Sequence, residues 1–399
     1  MSIEFSNAVA ALETAATLAK NEIKNQPPDG RAEWAAISRN TTTPVIAALN
    51  IIPSIRNLTG RLVVHHQGAT VFDLNSAVIY LIHHSIYTPA STVMDDFIKI
   101  CENRTINYTE VRLLSYIHIS RPIDLGDGLR LLPLADIPRT SFTAHLLTNT
   151  NVPSHGWGQP PSGAIIKSGT YELKFQDPPK LGDPSPSFWT DPESNRWEDA
   201  MRAIILASDG APEFRQQYKI INNPGWCADY CSSFGASESF PKPGKNTTYV
   251  DEIIAQQAFL DLNKSNKTIN LAIQILEQSR RRISNVERAL DLGLCAEILL
   301  MSGSKDNSEI SFKISSRAAW LLGNDAKERV SIFNTARALY KDRSLSAHTG
   351  DLGAVKSMDE MTKQLDRLKI SDQLCANLII KLIKQGFPRD WNLVTLNAT

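Results

Sequence analysis

The sequence predicts an α+β protein, with a mixed α/β region at the N-terminal side and an all-α helical bundle at the C-terminal side. Three observations carry this expectation. Apolar residues recur at helical spacing through residues 1–110, and the period shifts toward two from Val111. Proline-rich loop then separates the strand signals, and helical spacing returns beyond residue 248 and persists to the end. The chain is therefore divided into residues 1–235, a mixed α/β region, a linker at 236–248, and a helical domain at 249–399.

Taken in order, Phe5 to Lys24 is an Ala-rich helix, and Asn75–His84 and Ser91–Glu102 carry apolar stripes at helical spacing. Ile123 and Leu125, then Gly126-Asp127-Gly128, then Leu129 and Leu131 read as a hairpin around a glycine-rich turn. Tyr171-Glu172-Leu173-Lys174-Phe175 alternates and reads as a strand, while Pro153, Pro160, Pro161, Pro178, Pro179, Pro184 and Pro186 mark loop. A helix restarts at Thr190-Asp191 with Pro192 in its first turn, and Trp197, Met201, Ile204 and Ile205 share its apolar face. Ala236–Asn246, rich in Ser, Pro, Gly and Lys, reads as the linker. Seven helices follow: Tyr249–Leu262, Thr268–Arg282, Asn285–Met301, Ser311–Leu322, Ala326–Ala347, Met358–Leu368 and Ser371–Gln385. Gly350 is placed to stop the fifth of them.

Composition narrows the function classes. Of 399 residues 42% are hydrophobic and 21% charged, as in an ordinary globular protein. Lys plus Arg and Asp plus Glu both total 42, so no global basic field exists to hold a polyanion and any such contact must be local. Glu4 and Glu13 without a basic start followed by an apolar run argue against a signal peptide, and no stretch approaches bilayer length. A cytoplasmic location and no membrane contact are the expectations.

Candidate metal ligands are sparse, and no metal or cofactor is expected. Cys227 and Cys231 are the only close pair among five scattered cysteines, without the spacing of a zinc site. His65-His66 and His83-His84 each offer at most one ligand to a given site, because adjacent side chains diverge on a strand or a helix. Trp157, Trp189, Trp197 and Trp226 could line a ligand groove, although packing is their default role.

The most informative segment is Arg343-Ser344-Leu345-Ser346-Ala347-His348. A permanent cation and a titratable imidazole sit together near a helix end. The plain alternative is that both only complement the helix dipole and cap carbonyls. Surrounding residues give the segment its meaning. The run Val286-Glu287-Arg288-Ala289-Leu290-Asp291-Leu292-Gly293-Leu294-Cys295-Ala296-Glu297-Ile298-Leu299-Leu300 resembles the second helix of the Apea-like HEPN domains. So do Glu309–Lys313, Arg317–Gly323, Glu328-Arg329, and the block Leu339–Ser344 with His348, an R-x4-H motif. Five ordered blocks over residues 250–395 carry the resemblance, and Ile123–Leu129 looks more loosely like the strand-rich region often attached to such domains. Thr349 stands where this family often has glycine.

The resemblance implies an HEPN-type helical bundle that forms a homodimer through the motif-bearing helix. It further implies metal-independent endoribonuclease activity, in prokaryotic defence or toxin-type growth control, with RNA as partner and an antitoxin or trigger at the N-terminal region. Arg343 and His348 take the catalytic positions. Histidine suits both removal of the 2'-hydroxyl proton and protonation of the leaving 5'-oxygen, and arginine suits the phosphorane charge. On a helical wheel the two lie about 140° apart, whereas Ser344 and His348 share a face. One chain supplies one motif histidine, so a two-fold dimer would supply the acid and the base together.

Four further residues or groups are weighed as supports. Glu297 could hold Arg343 or Arg317, and Asp291 lies on the same helix; structural ion pairing is the plainer role of both. Tyr340 could stack on a base or pack in the core. Arg280, Arg281, Arg282 and Arg288, with Lys264 and Lys267, form the most basic neighbourhood and are candidates for RNA backbone contact, against the plainer reading of a solvated helix end. A non-catalytic HEPN module that binds nucleic acid, nucleotide or a partner protein is the alternative function.

Overall fold

The structure, a computed structural model, describes residues 3–23, 37–65, 68–137, 161–172, 174–177, 194–221, 248–302, 308–353 and 357–396. The first part comprises α1 (Ile3–Ile23), α2 (Arg39–Leu49), α3 (Pro53–Arg56), β1 (Leu62–His65), β2 (Gly68–Val71), α4 (Leu74–Ser85) and α5 (Ala90–Asn103). The buried face of α1 is Ala8, Leu12, Ala15, Ala16 and Ala19, small enough for α2, α4 and α5 to approach closely. Leu12, Leu49, Ile55, Phe72, Leu81, Met94 and Phe97 fill the resulting core. Asp73 caps α4 through the amides of Asn75 and Ser76. The hairpin β1–β2 departs from the helical expectation for residues 1–110, and its strands of four residues are too short to show a period.

From β3 (Thr105–Ser115) the chain builds a five-stranded antiparallel sheet in the order β5-β6-β7-β3-β9. Its members are β5 (Ile123–Gly126), β6 (Leu129–Pro133), β7 (Gly163–Glu172) and β9 (Glu213–Ile221). β3 is covered on both faces: Tyr108, Thr109, Glu110 and Val111 are buried in succession, which erases the alternation that would have marked its first half. The expected hairpin is present as β5–β6, with Gly126, Asp127 and Gly128 all at positive φ. The expected strand at Tyr171–Phe175 is instead divided. β7 ends at Glu172, and β8 (Lys174–Gln176) joins β1 in a second, three-stranded sheet. Helix α6 (Ser194–Leu206) lays Trp197, Ala200, Ala203 and Ile204 into a core shared with Leu114, Leu131 and Ile165 of the large sheet. The Thr190-Asp191 start expected for it lies outside the described residues, as does the expected linker from 236 to 247.

The chain re-enters through β10 (Thr248–Tyr249), parallel to β4 (Ile117–His118), so Tyr249 lies in a strand ladder and not in the helix predicted to begin there. Among the described residues seven helices follow: α7 (Glu252–Leu262), α8 (Lys267–Arg281), α9 (Asn285–Leu300), α10 (Ile310–Leu322), α11 (Ala326–Thr349), α12 (Met358–Gln385) and α13 (Trp391–Leu396). Asp251, Asn266, Ser284, Asp325 and Ser357 each cap the helix they precede. Gly350 ends α11 at φ 68, donating its N–H to Ser346. Two helices expected at Met358–Leu368 and Ser371–Gln385 are one, since Lys369-Ile370 contains neither glycine nor proline to break it.

The cores do not part at residues 236–248. Leu114, Trp197 and Ile205 share one apolar cluster with Phe259, Leu276, Leu299, Leu339 and Leu378, so sheet, α6 and bundle are packed together. The first core, from Ala8 to Cys101, is separate, as is a smaller cluster of Val111, Leu113, Leu132, Ile137, Ala164 and Ile166 on the large sheet. A polar strut reinforces this union. Arg280 of α8 donates to Asp372 of α12 at 2.8–3.1 Å and to the carbonyls of Ile205, in the last turn of α6, and Gly210, in the turn that follows it.

Candidate functional site

Helix α11 carries the motif, and its wheel assigns the motif's residues to different surroundings. Ala336, Leu339, Asp342 and Ser346 face the bundle. Arg337, Tyr340, Lys341, Ser344, Leu345 and His348, spaced alternately by three and one, line an open groove of about 490 Å³ with Ser311 of α10. His348 is exposed at its end, in the last turn before Gly350. Ser344 and His348 thus share the groove as expected from their spacing, with no hydrogen bond between them.

Arg343 does not line this groove. It leans onto α9, where its Nε lies 3.1 Å and an Nη 3.4 Å from the Glu297 carboxylate. Its stem crosses Gly293, where an added Cβ would overlap its Cβ and Cγ. Tyr340 completes the cluster, with the Arg343 guanidinium 5.8 Å from its ring centre and the Glu297 charge acting on its phenol. Burial, then the Glu297 charge, raises the phenol above its ordinary range, while Arg343 works against that rise. Tyr340 therefore borders both settings, with Glu297 behind it and the groove before it. Within one chain Arg343 and His348 are not brought together.

Four arginines and one aspartate predicted near the site belong elsewhere. Arg280, 3% exposed in its side chain, is consumed by Asp372 and two carbonyls and has no charge to offer RNA. Arg281 pairs with Glu277 and Glu213 and donates to Pro212 O. Arg288 faces Asp372 at 3.7 Å. Arg282 bonds Asp291 at 2.7 Å and stands 3.7 Å from Glu287; the Asp291 bond raises the guanidinium above its ordinary value. Asp291 is thereby an anchor for the end of α8 and not a support for the motif. These arginines join elements, because each lies where a helix end meets carboxylates or carbonyls of another element.

Sequence reasoning missed Arg337 and Lys341. Both are exposed, neither forms an ion pair with any described residue, and no carboxylate lines their groove. The signal was available: they precede His348 by eleven and seven residues, three and two turns back on its face. Such a track favours phosphate, and the adjacent imidazole offers proton transfer.

Other expectations resolve as packing. Trp197 is buried with Arg112 over its ring at 4.2 Å, and His83 and His84 meet edge-on beside Tyr87. His66, Trp157, Trp189, Trp226, Cys227 and Cys231 lie outside the described residues. Among the described residues no group of three or more His, Cys, Asp or Glu is placed to hold a metal, and no helix is long and apolar enough to cross a membrane. No protein-family model, curated protein or solved structure matches the chain.

Proposed function

We propose that the chain is a metal-independent endoribonuclease of HEPN type that works as a homodimer, in prokaryotic defence or toxin-type growth control. The observation that carries this reading is the groove on α11, where an exposed imidazole ends a carboxylate-free run of cations. Neutral His348 takes the proton of a ribose 2'-hydroxyl, and the freed oxygen attacks the adjacent phosphorus. The 5'-oxygen leaves with a proton from the protonated His348 of a second copy, giving a 2',3'-cyclic phosphate and a 5'-hydroxyl. Lys341 and Arg337 hold the flanking phosphates. Arg343 stabilises the phosphorane once the substrate phosphate displaces it from Glu297. The region before the bundle, joined to it by the Arg280 strut, is assigned the task of restraining that activity until a trigger binds.

One observation favours a second reading. Arg343 is committed to Glu297 and faces away from His348, as suits a module that binds nucleic acid or a partner without cutting. Incubating the full chain with labelled RNA in EDTA separates the two. Cleavage with cyclic phosphate ends, lost in His348→Ala, supports the nuclease; retention of intact RNA supports the binding module.

A further inference from the structure

Beyond Arg337, the groove's last lining residue toward the start of α11, the same helical stripe turns apolar. Phe333 of α11 lies four residues before Arg337, on the stripe that runs through Lys341 and Ser344 to His348. Phe312 of α10 follows the groove residue Ser311, is 59% exposed, and meets Phe333 edge-on with ring centres 5.9 Å apart. Val330, one turn earlier, is 62% exposed. Apolar side chains scattered singly need no explanation, but an aromatic pair continuous with a cationic groove calls for an occupant.

Charge selects between the occupants such a face could take. A second copy laid along the whole stripe would oppose Arg337 and Lys341 with their own counterparts, with no carboxylate in the groove to offset them, so a two-fold contact that brings in a second His348 is confined to the C-terminal end of α11. A chain of phosphates carrying flat apolar bases satisfies both halves. We propose that Phe312 and Phe333 form a base-stacking platform and Arg337 and Lys341 a phosphate track, so that the strand led to His348 is single-stranded RNA. The bases of a duplex are stacked on one another and cannot lie on a protein ring without being splayed out.

The spacing sets a register. Arg337 and Lys341 are separated by about 6 Å of helix rise, close to one phosphate-to-phosphate step of an extended strand. Phe333 and His348 are separated by about 22 Å, which corresponds to roughly three to four nucleotides between the stacked base and the scissile bond. The platform thereby fixes which linkage reaches the imidazole. That last statement rests on the nuclease reading, whereas binding at the platform does not.

The test is fluorescence anisotropy with the full chain carrying His348→Ala and a short labelled RNA, single-stranded or annealed to its complement. Single strands are expected to bind and the duplex to bind far more weakly. Phe312→Ala is expected to weaken single-strand binding roughly tenfold, and Phe312→Trp to restore it. Lys341→Ala should reduce the slope of log affinity against log salt by about 0.7. Unchanged binding in Phe312→Ala, or equal affinity for duplex, overturns the proposal. So does conversion of a dimer to a monomer by Phe312→Ala in sedimentation, which gives the platform to a second copy. Absence of cleavage by the unsubstituted chain would count against the nuclease and leave these binding results standing.

Discussion

The stem of Arg343 lies across the bare Cα of Gly293, and that close approach delivers its guanidinium to Glu297 one helical turn further along α9. A residue with a side chain at 293 would push α11 away from α9 at the motif itself.

Gly293→Ala should therefore destabilise the protein by about 1–3 kcal/mol through overpacking, against a helix-propensity gain of about 1 kcal/mol at most. Urea denaturation measures the balance. A stability increase would show that the two helices can part freely.

Asp372 is the counter-charge of Arg280 and also faces Arg288, and its pair with Arg280 is almost wholly withdrawn from solvent. Asp372→Ala leaves two arginines without it and should cost about 3–5 kcal/mol. The same loss should loosen the end of α6, read as faster amide exchange at Ala207, whose N–H bonds the carbonyl of Ala203. A change below about 1 kcal/mol would mean that water replaces the carboxylate.

Tyr340 gives the stability curve an alkaline limb. Its folded value is raised above the ordinary 10.0, so the neutral phenol's contribution is complete below pH 10.0 and is lost as pH climbs through the raised value. Denaturation midpoints on either side of that window should fall less steeply in Tyr340→Phe than in the unsubstituted chain. Parallel curves would remove Tyr340 from this linkage.

Thiol chemistry probes the two cores separately. Burial first, then Glu102, pushes Cys101 up to about 12, and Cys375 is raised by its hydrogen bond with Cys295 and by burial. Mass spectrometry after brief maleimide treatment of the native chain should find Cys101, Cys295 and Cys375 unmodified, and denaturant should expose all three. Early labelling of Cys101 alone would indicate that the N-terminal core opens independently of the bundle.

The sequence by itself determined α7 to α11 to within a few residues, because each carries its own amphipathic stripe and most carry a capping residue at the start; it divided α12 in two and did not register α13. It also determined that Ser344 and His348 share a face and that Arg343 does not, since a helix fixes those angles locally. Short or doubly covered strands escaped, as with β1, β2 and the first half of β3, where burial on both faces or brevity removes the period. Only the tertiary structure decided which charges remain free. Arg280 looked like an open cation until Asp372, 92 residues away, and the carbonyls of Ile205 and Gly210 were brought to it. Arg337 and Lys341 stay solvated because no carboxylate lines their groove. Charge pairing is set by neighbours in space, and burial makes it decisive, so residue type and spacing along the chain cannot reveal it.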